Sequence, residues 1–255
     1  MVWDPKQYLR FSDERQRPAA DLLRRIDLAA PARIVDLGCG PGTITRLLRE
    51  RWPQAAILGV DSSPEMLAQA VEAAPGVEWR KADIATFPLS PAFDLVYSNA
   101  ALHLLGDHAQ LFPRLAQSVS PGGVLAVQMP LNHAMPSHTG MAAAAMEGSW
   151  VERLAPLLRR HPVAEAGVYY DLLRPYLLRL DIWETSYLQV MEGPDPVVEW
   201  TRGTALKPLL DALEGAEREA FLTDYSRRMR EAYPARPDGR TLFPFRRLFL
   251  VGVRG

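Results

Sequence analysis

The sequence is short of several things, and each shortage removes a class of answer. It has one cysteine, Cys39, so no internal disulfide forms, and its opening Trp3, Asp4 and Lys6 are not a basic stretch leading into an apolar export signal. A reducing cytoplasm is the expected compartment. The longest apolar runs, around Met141–Met146 and Leu248–Val253, fall well short of the roughly 20 residues that a membrane-spanning helix needs. No membrane partner is expected. Neither sign of charge prevails: 29 Lys and Arg stand against 30 Asp and Glu, a net charge of −1. No global field therefore draws the chain to nucleic acid or to an anionic surface, and any charge on a substrate must be met locally. The histidines His108, His133, His138 and His161 lack the spacing with cysteines or acids that a metal site requires, so no metal is expected.

What is present is an ordinary globular composition, 48% hydrophobic and 23% charged over 255 residues, enough to bury a sizeable core in one large domain or a core with an inserted cap. Short apolar runs of strand length at Ile34–Leu37, Ala56–Val60, Phe93–Tyr97 and Val124–Gln128 alternate with stretches of helical spacing. Runs that are apolar throughout belong to parallel strands covered on both faces, so the pattern predicts a doubly wound α/β sheet. Helices are predicted at Arg17–Ala29, with Pro18 in its first turn, at Thr43–Arg51, after the Ser63-Pro64 cap, and at Asp107–Val119. After Met129 the rhythm breaks: residues 130–175 show no strand until Leu178–Tyr187, residues 194–233 read as two or three helices, Pro234–Gly239 as an exposed turn, and Arg247–Val253 as a last strand. The expected organisation is a single domain over 1–255. It has an N-terminal lid and helix (1–30), a core (31–130), helical cap insertions (131–176 and 190–240) and final strands (177–189 and 246–254).

The most informative stretch is Ile34-Val35-Asp36-Leu37-Gly38-Cys39-Gly40-Pro41-Gly42-Thr43, a strand, a turn with alternate glycines, then a helix. Such a loop lets the backbone approach a ligand closely. Thr43 stands where the dinucleotide fingerprint wants its last Gly or Ala, which disfavours a nicotinamide cofactor. Asp36 ends the first strand and Asp61 the second, and a carboxylate at the second position suits an unphosphorylated ribose. Two acids there would repel a pyrophosphate and suit an ammonium or sulfonium. Asp83, after the predicted third strand, is placed to meet an adenine amino group. Together these put a ligand at the carboxyl ends of the strands.

At these residues the chain resembles the class I S-adenosylmethionine-dependent methyltransferases. Asp36-Leu37-Gly38-Cys39-Gly40-Pro41-Gly42 matches their first motif, Asp61 their ribose acid, Asp83-Ile84 their adenine-contacting pair, and Ser98-Asn99-Ala100-Ala101-Leu102-His103 the loop after strand four. The resemblance implies a Rossmann-like seven-stranded sheet and S-adenosylmethionine as cofactor. The cofactor-binding residues it implies are Asp36, Gly38, Gly40, Asp61, Ser62, Met66, Asp83, Ile84, Asn99 and Ala100. Cys39 receives no nucleophilic role. The segment Ser98-Asn99-Ala100-Ala101 lacks the Asn-Pro-Pro-aromatic arrangement that stacks a flipped base, so a nucleic-acid methylase is not expected.

Outside that core the opening Trp3-Asp4-Pro5-Lys6-Gln7-Tyr8-Leu9-Arg10-Phe11-Ser12-Asp13-Glu14-Arg15-Gln16-Arg17-Pro18 is similar to the trans-aconitate 2-methyltransferases. So are Gly123–Pro130, Tyr169-Tyr170-Asp171, Asp181-Ile182-Trp183, Val198-Glu199-Trp200 and Arg247-Leu248-Phe249. This resemblance implies methyl transfer to a carboxylate of trans-aconitate. A carboxylate of pKa about 4 is ionised at neutral pH and needs no general base, so positioning does most of the work. A polycarboxylate also needs cations, and Arg suits bidentate recognition. The candidates are Arg15, Arg17, Arg246 and Arg247, with Tyr8 and Phe11 closing the site, Tyr169 and Tyr170 offering hydroxyls, and His103 beside the methyl position. His103-Leu104 stands where those relatives usually carry Gln-Trp, and Leu131-Asn132 where they carry Asp-Asn. The open alternatives are another acid, a hydroxyl acceptor with His103 as base, or donor binding without catalysis. A monomer or weak homodimer is expected.

Overall fold

The computed structural model describes residues 12–90, 92–158 and 163–255, and the backbone alone for 12–15. Seven strands form one sheet: β1 (Arg33–Leu37), β2 (Ala56–Asp61), β3 (Glu78–Lys81), β4 (Phe93–Asn99), β5 (Val119–Pro130), β6 (Leu177–Met191) and β7 (Thr241–Arg254), in the order β3-β2-β1-β4-β5-β7-β6. The apolar runs sit where a doubly covered sheet needs them, with Ile34, Val35, Leu95, Val96 and Val127 fully buried. β1 pairs in parallel with both β2 and β4, so the chain winds outward in two directions from β1. The crevice above that reversal, at the carboxyl ends of β1 and β4, is where such sheets bind ligands. β7 returns antiparallel to β5, from Val124↔Val253 to Pro130↔Arg247. No helix among the described residues is long and apolar enough to cross a membrane.

The first helix, α1 (Ser12–Arg24), differs from the expected Arg17–Ala29: it begins earlier, holds Pro18 in its interior, and stops sooner. Pro18 removes one intrahelical N–H, but Ala19 and Leu22 are fully buried and Ala19 O accepts from the Tyr97 hydroxyl at 3.3 Å. Tertiary packing therefore outweighs the local penalty. The helix ends in tight turns, Arg25 N to Leu22 O and Ile26 N to Leu23 O, and the Arg51 guanidinium takes up the exposed carbonyls of Leu23 and Ile26. The helix α2 (Thr43–Arg51) follows the glycine loop, and α3 (Pro64–Ala73) starts as expected, with Ser63 Oγ accepting from Met66 N. In α4 (His108–Gln117) the Asp107 carboxylate caps Gln110 N at 3.2 Å; Val119 already belongs to β5.

Beyond β5 come α5 (Pro136–Ala145), α6 (Val151–Leu154), α7 (Ala166–Leu173), α8 (Pro196–Arg202), α9 (Lys207–Asp211) and α10 (Gly215–Ala232). The chain forms two compact units, divided differently from the expected insertion at 131–176. One comprises Arg15–Pro130, Pro162–Thr185 and Arg247–Gly255. Here α7 packs with α4, the Tyr169 ring lying 4.6 Å from Phe112, and Trp183 stacks on Phe249 at 4.8 Å. The other unit includes Leu131–His161 and Ser186–Arg246 and has its own core, with Trp150 edge-on to Phe221 and Trp200 edge-on to Phe243 and Phe245. Those tryptophans are packing residues.

Candidate functional site

The three alternate glycines after β1 all have left-handed backbones, φ 78° at Gly38, 54° at Gly40 and 77° at Gly42, which favour glycine. Only one of them faces open space. A Cβ at Gly38 would sit 2.1 Å from the Ala101 Cβ, and one at Gly42 would meet Ala70 and the Trp79 ring at about 3 Å; at Gly40 it would meet nothing within 4 Å. Gly38 and Gly42 therefore sit in close packing, and Gly40 leaves open space. The loop is held to β2 by bonds from Gly38 N and Cys39 N to Val60 O. Asp61 completes the tie, its Oδ2 accepting from Gly40 N and its Oδ1 from Ser63 N, both at 2.9 Å. Each carboxylate oxygen keeps a second lone pair for a hydroxyl.

Asp36 is 2% exposed and accepts a 2.6 Å bond from Thr45 Oγ1 of α2. Burial pushes its carboxyl up to about 7, against the lowering effect of the Thr45 bond and with help from the negative Asp61. Neither Asp36 nor Asp61 is bonded to a cation among the described residues. Burial and the same two carboxylates drive the Cys39 thiol far above its usual range, so it stays protonated and is no nucleophile. Past β3, Asp83 Oδ1 accepts from Ala85 N at 2.9 Å and caps a turn with one of its oxygens, while Ile84 is buried against the Gly38 loop. Ser62 is exposed, and Met66, in the first turn of α3, is half-buried.

At the carboxyl end of β4, Ser98 Oγ donates to Leu37 O and ties this strand to β1. Asn99 and Ala100 are half-buried, and Ala100, with φ 53°, turns the chain sharply while its N–H bonds to Gln128 O. The short 3₁₀ turn Leu102–Leu104 presents a half-buried His103. His108 steadies that turn. Its Nε2 lies 2.9 Å from Leu102 O, which only accepts, so Nε2 carries the proton and Nδ1 accepts from the Tyr169 hydroxyl at 2.7 Å. Burial lowers the His108 pKa and keeps the ring neutral.

Of the substrate candidates, Tyr169 is a correction. It is fully buried, its hydroxyl donates to His108 and accepts from Ala164 N, and it is a packing residue of α7. Tyr170 is 48% exposed on the same helix, and Arg17 is exposed on α1. Arg247 is 5% exposed on β7 in the sheet unit. Arg246 belongs to the other unit, where its backbone N–H donates to Asn132 Oδ1. Tyr8, Phe11 and the Arg15 side chain lie outside the described residues.

Sequence reasoning missed three contributors. Thr45 is signalled only by its position three residues past Gly42. The spacing of His108 excludes it as a metal ligand and gives no sign that it props the turn at Leu102. Gln128 is a lone amide in the otherwise apolar run Val124–Met129.

An open Gly40, an uncompensated Asp36 and a ribose-ready Asp61 fit a ligand carrying both a cation and a vicinal diol. A family model described as a methyltransferase domain matches residues 34–123, which contain all three. The chain is 50% identical over 253 residues to the trans-aconitate 2-methyltransferase of Azoarcus sp., covering 99% of each, and 51% identical over 253 residues to that of Methylobacterium nodulans, covering 99% and 98%. Among solved structures, the YcgJ protein of Bacillus subtilis has a TM-score of 0.61 at 15% identity, over 94% of this chain and 98% of that one. Haemonchus contortus phosphoethanolamine N-methyltransferase 2, in complex with S-adenosylhomocysteine, has a TM-score of 0.57 at 17% identity, over 93% of this chain and 52% of that one, about half its length. These likenesses establish a Rossmann-like methyltransferase fold. The identity along nearly the whole chain establishes more: the protein belongs to the trans-aconitate 2-methyltransferase family of S-adenosylmethionine-dependent methyltransferases.

Proposed function

We propose that this protein transfers a methyl group from S-adenosylmethionine to one carboxylate of trans-aconitate. The observation that carries this reading is the pair of carboxylates at neighbouring strand ends, Asp36 and Asp61, with no described cation bonded to either. When bound, the donor supplies a sulfonium methyl, which passes to a carboxylate oxygen as the carbon–sulfur bond breaks, leaving S-adenosylhomocysteine and an ester with no proton to move. Asp61 takes the ribose hydroxyls, Asp36 answers the positive charge, and Gly40 leaves the space. Ser62, Met66, Asp83, Ile84, Asn99 and Ala100 line the rest. Arg247, nearly buried on the last strand, is the cation proposed to hold a substrate carboxylate. His103 orients the acceptor and does not act as a base, because an ionised carboxylate gives up no proton.

A substrate of this kind is a small molecule, with no role for nucleic acid. A single buried thiol fits a reducing cytoplasm. The test is transfer of labelled methyl to trans-aconitate, cis-aconitate, citrate and isocitrate, with His103→Gln beside wild type. Turnover on trans-aconitate that survives the substitution with a raised KM is expected. Loss of turnover on trans-aconitate in His103→Gln would make His103 indispensable to the transfer itself, and silence on all four acids refutes the reading.

A further inference from the structure

Gln128 is fully buried on β5, yet among the described residues neither its Oε1 nor its Nε2 has a hydrogen-bond partner, and the same is true of Asn99 Oδ1. The two residues are in register across β4 and β5, so they share one face of the sheet. Two residues earlier on that face lies Tyr97, in register with Asp36. On the next strand Gln128 pairs with Phe249, and Arg247 pairs with Pro130, again on this face. The carboxyl end of the sheet thus brings together, from β1 outward, a carboxylate, an unpartnered amide oxygen, a whole unpartnered amide and a guanidinium.

Buried amides without partners forfeit their hydration and gain nothing in return. That cost is recovered when a ligand supplies the missing partners. Asn99 is next to the strand that carries the glycine loop; Gln128 is one strand further away, beside the strand that carries Arg247. We propose that Gln128 orients the acceptor, its Nε2 donating to the carboxylate oxygen that attacks the methyl group. This rests on the carboxylate-methylating activity proposed above and assigns the residue that aims the nucleophile. An uncharged donor is suited to the task. A guanidinium bonded to the attacking oxygen would withdraw the electron density that forms the new carbon–oxygen bond, whereas an amide N–H fixes the oxygen's direction and leaves its charge in place. Arg247 then holds a carboxylate that does not react. The oxygens Asn99 Oδ1 and Gln128 Oε1 serve N–H or water donors of the bound pair.

The test compares wild type with Gln128→Met, which keeps the volume and removes the amide, and with Gln128→Glu, which adds a repelling charge. For Gln128→Met, the unliganded protein is expected to melt at or above the wild-type temperature and to bind S-adenosylhomocysteine within about twofold of wild type. Its kcat/KM for trans-aconitate is expected to fall about 10- to 100-fold, with kcat reduced as well as KM raised. Gln128→Glu keeps the donor affinity and loses more on the acceptor. A Gln128→Met enzyme with wild-type kcat and KM overturns the proposal, as does a melting temperature below wild type. If the wild-type enzyme ignores trans-aconitate but methylates another small acid, the acceptor named above is wrong and the Gln128 comparison is made on that acid. Methylation of no carboxylate overturns both readings.

Discussion

Burial raises the Asp36 carboxyl to about 7, while Thr45 pulls it down and Asp61 pushes it up. The folded protein therefore binds a proton there that the unfolded chain, with an ordinary carboxyl near 4, has released. Stability from this group is present below about pH 4, declines as pH rises toward 7, and is flat above. The decline amounts to something on the order of 4 kcal/mol. Asp36→Asn should abolish this slope, so that the unliganded variant melts higher than wild type at pH 8, measured by calorimetry. The same variant should bind S-adenosylhomocysteine about 10- to 100-fold more weakly, because the ligand's ammonium loses its counter-charge. In wild type, donor affinity should weaken as pH falls below 7. Asp36 and Asp61 were legible as residues because acids at strand ends beside a glycine loop have few other uses. Their partners were not. Thr45 is an unremarkable helical threonine until its bond to Asp36 is known, and Tyr169, legible as a hydroxyl near the site, turns out to be spent on His108.

The glycine loop makes opposite demands at adjacent glycines. Gly38→Ala places a methyl group 2.1 Å from Ala101 Cβ at φ 78°, so overpacking and left-handed strain together should cost about 2–5 kcal/mol of stability. Gly40→Ala at φ 54° meets no atom within 4 Å and should lose only about 1–2 kcal/mol. Its methyl occupies ligand space, so its larger effect should be on donor affinity. Urea unfolding and ligand calorimetry on the two variants separate the effects. β1, β2, β4 and the end of β5 were readable because each is a largely apolar run of the right length between turn signals, whereas β3, Glu78-Trp79-Arg80-Lys81, is polar. The start of α1 was not, because Pro18 is a start signal by local rules, and only the burial of Ala19 and Leu22 shows why the helix runs through it.

On the scale of the whole molecule, the helices after β5 were foreseen as a set, but not their division. Sequence periodicity reports a helix's apolar face without naming what that face meets, and α7 meets α4 in the sheet unit. The other unit holds its own polar knot, in which the Tyr225 hydroxyl donates to Ser137 O at 2.9 Å and lies 3.2 Å from Thr201 Oγ1. Tyr225→Phe should cost about 1–3 kcal/mol in urea unfolding and leave S-adenosylhomocysteine affinity unchanged, since every proposed donor contact lies in the sheet unit. The strand order carries a further consequence. β7 lies between β5 and β6, although it follows β6 in the chain. During synthesis on the ribosome, β6 therefore waits without its neighbour until β7 has been made, and closing this side of the sheet requires contacts distant in sequence. The growing polypeptide exposes a bare strand margin over that interval, the moment at which chaperone protection matters most.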